Sequence, residues 1–127
     1  MNIFNWLKSR FSSRGKALSL YRRGMAMAKK HDHQGAIADY TTTIGMPDTP
    51  ADVKAMILYN RALMHVATGD DQKAVDDFDA VVTMDEAPVN VKTMAKQKLV
   101  RMKSESARAT SRNSRRLPNK MRETCSF

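Results

Sequence analysis

Displaced by 38 residues, this sequence falls on itself. Residues 17–50 then lie on residues 55–88, and ten of those 34 pairs are identical. They are Ala17/Ala55, Leu20/Leu58, Tyr21/Tyr59, Arg23/Arg61, Asp32/Asp70, Gln34/Gln72, Ala36/Ala74, Asp39/Asp77, Met46/Met84 and Pro50/Pro88. Gly24/Ala62, Met25/Leu63, Ile37/Val75, Tyr40/Phe78, Ile44/Val82 and Asp48/Glu86 add conservative pairs. Chance gives about two identities over such a length. One unit of this size cannot bury its own apolar face, so a repeat of this period requires units that stack.

Each unit reads as two helices. In the second, Thr49-Pro50-Ala51-Asp52 opens a helix: Thr49 is a candidate cap, Pro50 suits the first turn, and Asp52 supplies the acid of a capping box. Met56, Tyr59, Leu63 and Val66 then recur at helical spacing. Gly69-Asp70 breaks the chain, and Asp70 is positioned to cap the helix that follows. Ala74, Val75, Phe78, Val81 and Val82 give that helix its apolar stripe. The first unit repeats the plan with Asp32 as cap, and Gly45-Met46-Pro47 ends its second helix.

A glycine in mid-helix costs about 1 kcal/mol against alanine. Gly24, and Ala62 in the matching place, therefore predict a close approach of two helix backbones. Ala36 and Ala74 are the expected small partners on the second helices. Tyr40 and Phe78 are the large side chains expected to fill the space beyond.

These residues resemble the tetratricopeptide repeat (TPR) pattern, W-x2-L-G-x2-Y…A-x3-F…P over about 34 residues. Leu20, Gly24, Ala36 and Tyr40 match it in the first unit; Leu58, Ala62, Ala74 and Phe78 match it in the second. Arg23 and Arg61 stand where the pattern has Leu, Met27 and His65 where it has Tyr, and its prolines are displaced to Pro50 and Pro88. The insert Ala51 to Lys54 lengthens the period. The resemblance covers residues 17–88. It implies an all-α fold: a short right-handed superhelix of stacked antiparallel helix pairs.

Stacks of this kind usually need a polar capping helix. Residues 89–106 supply one, with Val91, Ala95, Leu99 and Met102 as its buried stripe and Lys92, Lys96, Lys98 and Lys103 on its wet face. The helical domain is thus expected over 15–106. After Ser106 periodicity is lost and Pro118 follows, which predicts a flexible basic tail over 107–127. Residues 1–14 read as a separate basic amphipathic segment. Ile3, Phe4, Leu7 and Phe11 share a helical face flanked by Trp6, with Lys8, Arg10 and Arg14 on the polar side. Such a segment covers an open end or groove of the stack, lies in a membrane interface, binds a partner or second copy, or targets an organelle.

The net charge of +9 is segregated. Residues 1–31 carry eight bases and no acid, residues 32–88 eleven acids and three bases, and residues 89–127 eleven bases and two acids. Either the ends neutralise the middle, or one end binds a polyanion. The tail after Ser106 has no aromatic before Phe127 for bases to stack on. A nucleic acid held there would be held by its phosphates, without sequence preference and with strong salt dependence.

No catalytic motif is present: no Gly-rich phosphate loop, no Gly-x-Ser-x-Gly, no His-Glu-x-x-His. The expectation is a non-enzyme without cofactor or metal. His31-Asp32-His33 falls at a turn where Asp32 already caps a helix. Asp76, Asp77 and Asp79 read as a solvated acidic face. Ten methionines are many for 127 residues. They serve either as core filler or as an adaptable apolar lining. Cys125 is the one cysteine. It excludes a disulfide framework within the chain, falls one residue short of a prenylation box and reads as an inert thiol. With no apolar run long enough for a membrane span and no secretory signal, a cytoplasmic setting is expected.

What the resemblance implies for function is a concave groove lined by the first helix of each unit. Leu18, Tyr21, Met25 and Lys29 would face it from one unit, and Met56, Tyr59, Asn60, Leu63 and Val66 from the next. A TPR subgroup clamps C-terminal carboxylates with Lys and Asn side chains. Asn60 matches one of these, but Tyr21 and Met25 take the other places, so an apolar groove for a peptide or helix is the expectation. The alternatives are a basic adaptor on nucleic acid or an anionic membrane, and self-association through the open ends of the stack.

Overall fold

A computed structural model describes residues 3–116, apart from the side chains of residues 6–13. Every regular element among the described residues is helical: α1 (Ile3–Lys29), α2 (His33–Ile44), α3 (Ala51–Ala67), α4 (Asp71–Thr83) and α5 (Val89–Arg116). Each helix packs on the next in sequence, and α3 also touches α5. None of these helices is long and apolar enough to cross a membrane.

The 38-residue period is written into the backbone as well as the sequence. α1 and α3 both end in a left-handed residue, His31 (φ 64°) and Gly69 (φ 80°). In each case the next amide closes back on the third carbonyl from the helix end: Asp32 N–H donates to Met27 O at 2.9 Å and Asp70 N–H to His65 O at 2.8 Å. His31 N–H and Gly69 N–H donate to Ala28 O and Val66 O, both at 3.1 Å. Both ends are therefore Schellman motifs, with the left-handed residue at C′. The period extends past the second unit. Pro50 O accepts from Lys54 N–H and Pro88 O from Lys92 N–H, so α5 starts as α3 does.

α3 is buried on two sides. Ile57 packs with Ala36 and Tyr40, beside Tyr21, Met27 and Met64. Ala55, Leu58 and Ala62 join Ala74, Phe78 and Val81 in the larger core. α5 offers only one buried side, Val91, Ala95 and Leu99, to that core. The positions matching Ala55, Leu58 and Ala62 are Thr93, Lys96 and Val100, all exposed. Among the described residues no further helix packs on that face.

Gly24 faces the second helix of its unit at close range. A Cβ placed on it would lie 2.7 Å from Cε1 of Tyr40, a side chain that is fully buried. Glycine leaves the room that this ring occupies.

Several expectations need correction. From Ile3 to Lys29 the chain is one helix, α1, without a break at residue 14. Ile3 and Phe4 are more than two-thirds exposed and cover no groove. Trp6, Leu7 and Phe11 have side chains outside the described residues. The helix also does not stop at 106. α5 continues to Arg116, with residues 103–116 exposed; residues 117–127, Cys125 included, lie outside the described residues. Thr49 does not cap α3. Pro50 holds that place, and the Thr49 hydroxyl donates to Thr43 O at 2.8 Å. Asp32 caps α2 by accepting from Gly35 N–H at 3.0 Å, whereas the Asp70 carboxylate caps no amide and sits 3.3 Å from Lys73 Nζ. Asp77 is not on a solvated face. It is buried against Arg61, as discussed below.

Candidate partner-binding groove

α1, α3 and α5 are the first helices of successive units, and they stand side by side. Residues 38 apart therefore form ladders across them: Leu18, Met56 and Met94; Tyr21, Tyr59 and Gln97; Met25, Leu63 and Arg101. Between these helices lies an open cavity of about 440 Å³. Tyr21 and Met25 line it from α1, Met56, Tyr59 and Asn60 from α3, and Asn90, Val91 and Met94 from α5, with Pro88 at its edge. A smaller hollow of about 200 Å³ continues along α5, walled by Tyr59, Met94, Gln97, Lys98 and Arg101.

Two kinds of side chain make the wall. Tyr21 and Tyr59 are held from behind by core rings: Tyr21 lies 6.1 Å from Tyr40 and Tyr59 lies 5.6 Å from Phe78, centroid to centroid. Both contacts are tilted, the favourable arrangement for aromatic pairs. Asn60 Nδ2 donates to the Tyr21 hydroxyl at 2.8 Å and fixes that ring further. Burial pushes the Tyr21 phenol above its ordinary pKa, against the opposing effect of the Asn60 hydrogen bond. Burial, aided by Tyr21 and Asp39, pushes Tyr40 up to about 12. Both tyrosines are neutral donors at physiological pH. Met25, Met56 and Met94 are different. Their exposures are 37%, 42% and 40%, high for residues that a core would use as filler. They form an adaptable surface between rigid rings.

The structure thus brings together Tyr21, Met25, Met56, Tyr59 and Asn60 from the nine residues expected in the groove. The other four fall elsewhere. Leu18 is half-buried and Lys29 exposed, neither on this wall. Leu63 packs against the core around Phe78. Val66 lines a separate hollow with Asp71, Met102 and Glu105. Sequence reasoning missed the contribution of α5. Pro88, repeating Pro50, is the signal that sets its register and places Met94 beside Met56.

A second, polar hollow of about 350 Å³ lies on the other side of α3, between α2 and α4. Ile37, Thr41, Arg61, His65, Lys73, Asp76 and Asp77 line it. His65 Nε2 is 3.8 Å from Asp77 Oδ2, too far for a hydrogen bond. Both Asp77 oxygens accept from Arg61, and Arg61 Nη1 also donates to the Thr41 hydroxyl at 3.1 Å. Asp77 is therefore engaged by Arg61 and makes no hydrogen bond to His65. Among the described residues, no group of three or more His, Cys, Asp and Glu side chains could hold a metal ion. No family model, curated protein or solved structure matches the chain.

Proposed function

We propose that this chain is a TPR-like, non-catalytic interaction module, a short right-handed stack that holds a peptide or helix in its concave groove. One observation carries the reading. Three methionines on three successive first helices stay exposed around tyrosines that the core has already immobilised. Leaving apolar side chains in water costs the free protein, and covering them returns that free energy. Rigid rings lose little entropy on binding, and methionine repacks around the ligand that arrives. A helix with apolar side chains at i, i+3 or i+4 and i+7 suits such a surface.

The test is a peptide library selected on the full chain. The peptides are then measured against the variant Met25→Ala/Met56→Ala/Met94→Ala. All three side chains are partly exposed, so far-UV circular dichroism is expected to match wild type and the thermal midpoint to fall only modestly. Selected peptides are expected to share apolar residues at helical spacing and to bind the variant at least about tenfold more weakly. Peptides that bind both proteins equally would move recognition away from the groove.

A further inference from the structure

α5 outruns the fold that it closes. Its buried residues end at Leu99, and Met102 is the last to be half-buried. Residues 103–116 are all exposed, about 21 Å of helix at 1.5 Å per residue, with Glu105, Ser106 and Ala109 still bordering a hollow shared with Val66 and Asp71. The helix carries nine bases and one acid, Glu105. Five of the nine bases share one side. Lys98, Arg101, Arg108, Arg112 and Arg116 fall within one arc of the helix when successive residues turn by about 100°. Glu105 lies on the same arc. The opposite side bears Lys92, Lys96 and Lys103 nearer the core, with Ser106, Thr110, Asn113 and Ser114.

Such a stripe could meet three kinds of anion, and its composition separates them. A membrane-surface helix needs large apolar side chains opposite its bases. From 103 to 116 the only apolar residues are Ala107 and Ala109. An acidic protein surface needs aromatic or aliphatic anchors at the centre of the interface, and the projection has none. A nucleic-acid backbone needs neither. It is held by Arg and Lys, with Ser, Thr and Asn as supporting donors. Without aromatics the helix has no platform for unpaired bases, which favours a duplex over a single strand. A helix about 10–12 Å across also matches a major groove about 12 Å wide.

We propose that the projecting half of α5 binds the phosphate backbone of a nucleic-acid duplex without reading its sequence. This site adjoins the peptide groove and does not depend on it. Arg101 and Lys98 stand at the junction of the two, where they also line the hollow beside Tyr59 and Met94.

The experiment measures fluorescence anisotropy of a labelled DNA duplex of mixed sequence, titrated with the full chain over a range of salt concentrations. The comparison is Arg108→Gln/Arg112→Gln, two exposed positions whose replacement is expected to leave the circular dichroism unchanged. Wild type is expected to bind with log K falling linearly against log salt. The double variant is expected to lower that slope by about two, close to one for each phosphate no longer neutralised. No binding at low salt, or an unchanged slope in the variant, would overturn the proposal. So would displacement of the duplex by polyglutamate or by phosphatidylserine vesicles at equal charge, which would assign the stripe to acidic proteins or membranes instead. Met25→Ala/Met56→Ala/Met94→Ala is expected to bind the duplex as wild type does, so the two sites fail or survive independently.

Discussion

Arg61 reaches from α3 to α4 and takes both carboxylate oxygens of Asp77, Nε to Oδ2 and Nη2 to Oδ1, each at 2.7 Å. Arg23 and Asp39 repeat the arrangement between α1 and α2 at the same two distances. The hydrogen bonds from Arg23 hold the Asp39 carboxyl below the usual carboxylate range, although burial pulls the other way. A planar guanidinium with two parallel bonds fixes direction as well as distance. Each pair therefore sets the angle at which the two helices of a unit meet. The units differ in surroundings. The Arg61 side chain is 20% exposed and the Arg23 side chain 61%.

That difference predicts unequal costs. Asp77→Ala leaves a mostly buried guanidinium without its anion and is expected to cost about 2–3 kcal/mol, read as a lower urea midpoint at constant slope. In Asp39→Ala the freed Arg23 turns to water, and the loss is expected to be smaller. Arg61→Met/Asp77→Leu is expected to recover much of the Asp77→Ala loss, because no charge is left buried. Equal losses in the two single variants would contradict the role given to burial.

Two glycines in α1 are expected to respond with opposite signs to alanine. Gly15 has nothing within 4 Å of its would-be Cβ. Gly15→Ala gains helix propensity alone and is expected to stabilise by up to about 1 kcal/mol. Gly24→Ala drives a methyl group into the Tyr40 ring, which has no free space to yield. The expected outcome is a net loss of about 1–3 kcal/mol despite the same propensity gain. Thermal midpoints of both variants, compared with wild type, decide the matter.

The two Schellman ends offer a similar contrast. His31 holds at C′ a backbone conformation that costs an L-residue roughly 1 kcal/mol, while Gly69 holds its equivalent without strain. His31→Gly is expected to stabilise by about 0.5–1 kcal/mol, and Gly69→Ala to destabilise by a similar amount. His31 is exposed, so the exchange removes little else. A destabilised His31→Gly would show that its ring, 6.0 Å from that of His33, contributes more than the strain costs.

The repeat made the helix pairs legible, and the reasons for the misses are local. Arg23/Arg61 and Asp39/Asp77 stood among the identities, yet their pairing joins residues 16 apart on different helices, which no periodicity within one helix reveals. Asp77 shares its helix with Asp76 and Asp79, and a cluster of like charges reads as solvated until a counter-ion is placed against it. Residues 1–14 read as their own segment from their apolar and basic faces, but no proline interrupts the stretch, and α1 runs on from Ile3 to Lys29. In the groove, the α3 residues followed from the repeat. The α5 residues did not, because side-chain likeness fades after Pro88: Tyr59 is matched by Gln97 and Leu63 by Arg101. Val53/Val91 and Met56/Met94 keep their chemistry. Tyr59 and Leu63 carry core contacts as well as groove position, so exposed methionines probe binding more cleanly than they do.

His65 ties stability to pH. It is buried, and burial is the main force lowering its pKa. Asp77 opposes that force, Arg61 adds to it, and the weaker effects of Asp70 and Lys73 oppose and add in turn. In the unfolded chain the same imidazole titrates near about 6.5. Below that pH the unfolded state takes up the proton before the folded state does, so the folded state loses stability as pH falls. Above it both states are neutral and the contribution is constant. The matching position in the first unit is Met27, so His65→Met is a replacement that the architecture already contains. Urea unfolding across pH 5 to about 8 is expected to show wild type losing stability toward the acid side more steeply than His65→Met, with parallel behaviour above pH 7 or so. Curves that stay parallel across the whole range would mean that His65 binds its proton equally well in both states.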